Sequence, residues 1–112
     1  GRPIELDDLP DELAVSVITI GELRAGLLAT EEVDARIKRL STLTSALHLD
    51  PIPVTDHVAE AWAELRIRLR DAGKRMPVND SWIAATALAL GVAVATQDAD
   101  YDDVPGLTVI RL

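Results

Sequence analysis

Short continuous apolar runs alternate along the chain with apolar positions at helical spacing, which predicts alternating strands and helices. "AVSVITI" (14–20) is short, β-branched and apolar, which predicts a buried strand. It runs into "TIGELRAGLLA", where Leu23, Leu27 and Leu28 return at helical spacing and Thr19 or Gly21 is the expected start. "EEVDARIKRLSTLTSAL" (31–47) predicts a second helix, with Thr30 as N-cap and Glu31 and Glu32 at the positive end of its dipole. "LDPIPV" predicts a short strand whose Pro51 and Pro53 mark a sheet edge. Residues 56–72 place Val58, Ala61, Trp62, Leu65 and Leu69 on one helical face, with Gly73 as the stop. "NDSWIAATALALG" predicts a further helix, capped by Asn79 and ended by Gly91. "VAVAT" (92–96) and "LTVIRL" (107–112) predict two more strands.

Apolar strands between amphipathic helices predict an α/β fold, a three-layer α/β/α sandwich around a mostly parallel sheet. The length of 112 residues predicts a single domain spanning 1–112. A hydrophobic content of 48% sets it apart from disordered chains. The absence of cysteine removes disulfides and thiolate metal sites, and it fits a reducing, cytoplasmic setting. No apolar run reaches the ~18 residues of a membrane helix, so no membrane partner is expected. The acidic, proline-broken "GRPIELDDLPDE" does not have the pattern of a signal peptide.

Charge changes the picture most. The net charge is −8, with nine arginines but only Lys38 and Lys74 as lysines. Such a balance disfavours general nucleic-acid binding and favours cations, metals or basic proteins as partners. One stretch runs against it: "RIRLRDAGKR" gathers Arg66, Arg68, Arg70, Lys74 and Arg75 within ten residues. This is either a solvated helix face or a strip of phosphate contacts, and Lys74 and Arg75 are the better RNA-contact candidates because their loop leads to Asp80.

Ligand sites in open α/β sheets form beyond the carboxyl ends of the strands. Glu22 follows the strand predicted at 14–20, Asp80 opens a helix, and Asp98 lies two residues past "VAVAT", with Asp100 as a weaker fourth acid. Carboxylates about 5 Å apart would repel by roughly 3 kcal/mol per pair at an effective dielectric of ~20. A proton or a cation must then neutralise the cluster. Oxygen ligands without histidine or cysteine favour Mg²⁺ or Mn²⁺, which would orient and activate a phosphodiester. The competing explanation is plain: acids in a first helical turn serve the dipole, and "QDADYDD" is an acidic turn. His48 and His57 lack ligand spacing, and no glycine-rich phosphate loop or GxSxG is present. Trp62 and Trp82 fall on apolar helix faces, and Ser81 has no evident base.

"SVITIGELRAG", "VNDSWIAATAL" and "ATQDADY", in this order, resemble the PIN domain, and more narrowly the VapC toxins of bacterial VapBC toxin–antitoxin pairs. The likeness runs from about Ala14 to Leu112. It implies an Mg²⁺- or Mn²⁺-dependent endoribonuclease, catalytic through Glu22, Asp80 and Asp98, with Asp100 as an auxiliary metal ligand. Thr96 matches a hydroxyl position near the metal and Asn79 a supporting polar residue. The resemblance also implies an RNA substrate, a homodimer and a VapB-type antitoxin as partner. One element of the family pattern is not matched: its opening strand, which ends in a D-T-S-type motif with a metal-ligating aspartate. Asp7 and Asp8 follow no apolar run, so the expectation is a PIN-like domain lacking its first strand. A non-catalytic PIN-like protein-binding module is the alternative, and a phosphoacceptor domain fits less well because Lys38 and Lys74 fall on or after helices.

Overall fold

The computed structural model describes residues 15–96 and 99–111, with the side chains of Thr96 and Arg111 outside the description. Along the chain lie helices α1 (Val17–Ala29), α2 (Val33–Leu47), α3 (Asp56–Asp71) and α4 (Val78–Leu90), strand β1 (Val94–Thr96), a 3-10 turn (Ala99–Tyr101) and strand β2 (Val109–Arg111). β1 and β2 run parallel, pairing Val94 with Val109, Ala95 with Ile110 and Thr96 with Arg111. Parallel neighbours need a crossover, and the 3-10 turn lies on the connection between them. The architecture is helix-rich α/β with a parallel sheet, as the pattern predicts.

The opening segment departs from expectation. The strand predicted at 14–20 is a helix from Val17 onward. Extended pairing is confined to a parallel bridge between Ser16 and Ile52, where Ile52 N–H donates to Val15 O at 2.6 Å and Val17 N–H donates to Ile52 O at 3.0 Å. The cause is local capping. Ser16 accepts from the Ile18 N–H at 3.1 Å and starts the helix three residues before Thr19. The "LDPIPV" strand likewise shrinks to that single bridge at Ile52.

Caps shift elsewhere too. Thr30 does not start α2; it closes α1, and its hydroxyl donates to Gly26 O at 2.7 Å. Glu32 caps α2 instead, accepting from the Asp34 and Ala35 N–H groups. Asn79 is not the N-cap of α4. Pro77 takes that place, and its ring cannot accept a hydrogen bond. Thr55 caps α3 by accepting from Val58 N–H at 3.3 Å. Gly91, with φ of 68°, occupies the left-handed C-cap of α4, a conformation that costs glycine little.

Among the described residues two apolar cores result. The larger joins Val58, Leu65 and Leu69 of α3, Ala84, Ala85 and Ala87 of α4, Val94 of β1, Tyr101 and Val104. The smaller gathers Val15, Ile20, Leu43 and Ala46 around α1 and α2. Helix α4 is the hub: it touches α3, α1, β1 and the 3-10 turn. Alanines on α4 permit that close approach, because a short side chain lets several elements reach one helix.

Candidate functional site

The N-terminal turn of α4 holds one of the predicted acids, Asp80. Asp80 is the third residue of α4 and is half-buried. Its Oδ1 accepts a hydrogen bond from the Tyr101 hydroxyl at 3.1 Å. Tyr101 is 4% exposed, and a buried phenol keeps its hydroxyl only with a polar partner. The bond therefore does two things: it satisfies the buried ring and it fixes one carboxylate oxygen of Asp80. It also joins α4 to the 3-10 turn that opens on Ala99 and contains Asp100.

Glu22 is the sixth residue of α1 and is exposed. A strand ending at residue 20 puts it in a first helical turn, but with the helix beginning at Val17 it lies in the second. The first turn of α1 holds no acid. The helix dipole, which acts mainly over the first turn, consequently gives no account of Glu22. Helix α1 packs against α4, so the helices bearing Glu22 and Asp80 are neighbours.

Asp98 lies outside the described residues. Thr96 ends β1, and its side chain is outside the description. Asp100 is exposed in the 3-10 turn and is not without a polar or electrostatic partner. Asn79 is exposed at the second position of α4. Among the described residues, no three Asp, Glu, His or Cys side chains stand close enough to hold a metal ion. The structure thus links Asp80 to the turn after β1, while the full carboxylate cluster is not contained in the described residues.

The other candidates sort out by their contacts. Lys74 Nζ donates to the Asp103 carbonyl at 3.0 Å, tying the α3–α4 loop to the segment after the 3-10 turn. Arg75 is exposed in that loop and lines a groove between α3 and α4. His48 and His57 are exposed and hydrogen-bond the Thr44 and Ala89 carbonyls, as helix-end residues do. Ser81 is 5% exposed and bonded to Trp62 Nε1 and Val78 O, which marks a packing role. Tyr101 is the residue that sequence reasoning missed. The chain's single tyrosine, placed inside an acidic stretch, was the available signal.

Residues 4–107 match the PIN domain family. Ribonuclease VapC4 of Mycobacterium tuberculosis is 48% identical over 101 residues, which cover 90% of this chain and 78% of that protein. Ribonuclease VapC5 of the same organism is 40% identical over 112 residues, covering 100% of this chain and 83% of that protein. The crystal structure of VapBC-5, a member of the VapBC family of toxin–antitoxin systems from M. tuberculosis, superposes with a TM-score of 0.86 at 41% identity, covering 98% of this chain and 91% of that one. A match over nearly the whole chain, with parallel strands and an acid opening α4, leads to one assignment: this chain belongs to the PIN-domain family, in its VapC branch.

Proposed function

We propose that this chain is the toxin of a VapBC-type pair, an endoribonuclease that hydrolyses RNA phosphodiester bonds at a divalent-cation site. The observation that carries the geometric side is the Tyr101–Asp80 hydrogen bond, which anchors an acid at the start of α4 beside the turn after β1. The relatives named as ribonucleases VapC4 and VapC5 support the same reading.

Glu22, Asp80 and Asp98 are assigned to hold the cation, with Asp100 as auxiliary ligand and Asn79 and Thr96 in support. This all-oxygen donor set fits Mg²⁺ or Mn²⁺. When bound, such an ion supplies charge neutralisation for the phosphodiester and a lowered pKa for the attacking water. Tyr101 holds Asp80 in one orientation, so less ordering is needed when ligand arrives. No side chain is assigned as general base. Residues 1–112 are read as one PIN-like domain. A VapB-type antitoxin, a second copy of the chain and a cytoplasmic setting complete the proposal. The VapBC-5 likeness supports the antitoxin partner, and among the described residues no helix is long and apolar enough to cross a membrane.

The test is cleavage of total RNA with Mg²⁺ or Mn²⁺, with chelator and variant controls. Asp80→Asn keeps a carbonyl oxygen for Tyr101 to donate to, so the fold should survive. Asp80→Asn and Asp98→Asn should each lower cleavage by more than about 100-fold, beyond what loss of a merely supporting residue causes. Near-normal cleavage by both would remove the assigned roles. Absent cleavage together with absent Mn²⁺ binding by calorimetry would make the protein a binding module instead.

A further inference from the structure

Between the C-terminal half of α3 and the first turn of α4 lies a groove of about 580 Å³. Arg66, Arg70, Lys74 and Arg75 line it, and no carboxylate does so among the described residues. In a chain of net charge −8 this is a local inversion of sign. Surface potential follows local charge rather than the total.

Two of the cations, Arg66 and Lys74, are held in place without being neutralised. The Arg66 guanidinium sits 4.9 Å from the centroid of Trp62, a cation–π contact that fixes its position. Trp62 is in turn stacked on Trp82, with centroids 4.2 Å apart and planes within 2°. Its Nε1–H donates to Ser81 Oγ at 3.0 Å, so the platform under Arg66 spans both helices. Lys74 directs one of its three N–H donors to the Asp103 carbonyl, which carries no formal charge. Arg70 meets Asp71 at 3.3 Å, but both side chains are mostly solvated and such a pair exchanges readily. Among the described residues, Arg66, Lys74 and Arg75 have no acidic partner.

The groove also ends in the right place. Val78 and Ser81 line it, and Asp80 lies on the same turn of α4. Lys74 ties its edge to Asp103, two residues beyond the Tyr101 that holds Asp80. A polyanion lying in the groove is led to the acidic end of α4, where lysines and arginines give way to carboxylates.

Resting on the nuclease reading above, we infer that this groove binds the sugar–phosphate backbone of the RNA strand flanking the cleaved bond. Arg66, Arg70, Lys74 and Arg75 contact phosphates, not bases. They position the substrate and do not select its sequence.

The experiment is a salt titration of the protein's affinity for a fluorescein-labelled single-stranded RNA, with EDTA present to stop cleavage, alongside cleavage kinetics with Mg²⁺. The double variant Arg70→Gln/Arg75→Gln should bind different RNA sequences more weakly by a similar factor. Its slope of log K against log salt should flatten by about 1.4, roughly 0.7 per lost phosphate contact. In cleavage its KM should rise while kcat changes little. The double variant Arg36→Gln/Lys38→Gln, with the same charge change on α2, should leave the slope unchanged.

An unchanged slope and KM in the groove variant, with the wild type still cleaving RNA, overturns the groove and leaves the nuclease reading standing. Equal flattening in the α2 variant reduces the effect to net charge and also overturns it. Lost binding of a glutamate-rich peptide with RNA binding intact assigns the groove to a protein partner. A wild type that neither binds nor cleaves RNA removes both proposals together.

Discussion

Two helix pairs make up most of the described chain, and they are held together unequally. Between α3 and α4, Val58 and Leu65 are 2% and 1% exposed, and the core continues into β1, Tyr101 and Val104. Between α1 and α2 the buried set is Val15, Ile20, Leu43 and Ala46, while Leu28, Val33, Ile37 and Leu40 face outward at 52–78% exposure. Buried apolar area is the main source of folding stability. The α3–α4 half is therefore the rigid part, and it carries Asp80 together with its tyrosine partner. The α1–α2 half carries Glu22 on a helix with less to hold it. A site assembled from both inherits the mobility of the weaker one.

Core truncation tests that contrast most severely. Leu65→Ala should cost about 2–5 kcal/mol, at the upper part of the range because its surroundings are fully packed. Leu43→Ala, in the thinner core, should cost about 2 kcal/mol. Equal losses in urea unfolding would show that the two halves share one stability. Amide hydrogen exchange sharpens the point without mutation: α1 and α2 should open at lower free energy than α3 and α4, and uniform protection would break the comparison. Tyr101→Phe comes next. It removes one hydrogen bond, worth about 0.5–1.5 kcal/mol, and frees Asp80, so thermal stability should fall slightly and RNA cleavage more visibly. Smallest of all, Ile37→Gln on the open face of α2 should stay within about 0.5 kcal/mol of wild type. A larger loss would mean that this face is covered in solution.

The contrast also explains what the sequence made legible. Helix α3 was readable because Val58, Leu65 and Leu69 repeat on one face and are all buried. Its end and that of α4 were readable because Gly73 and Gly91 both adopt a φ of 68°. The start of α1 was not. Val17, Ile18 and Ile20 favour strands by composition, and only the Ser16 cap and the surrounding packing make them helical. Asp80 could be found from its place at a helix opening. Its bond to Tyr101 could not, since residues 21 positions apart meet only through tertiary packing. Nor could the local pattern say how α1 is rotated against α4, which is what decides where Glu22 points.

The stacked tryptophans have a practical consequence. Trp62 and Trp82 are the only tryptophans in the chain, and both lie in the α3–α4 half. Intrinsic fluorescence therefore watches one of the two helix pairs and is blind to the other, whereas far-ultraviolet circular dichroism sees the helices of both. If the pairs melt separately, ellipticity will begin to fall while the emission is still native. The gap between the two melting curves would measure how independently the Glu22 helix can move.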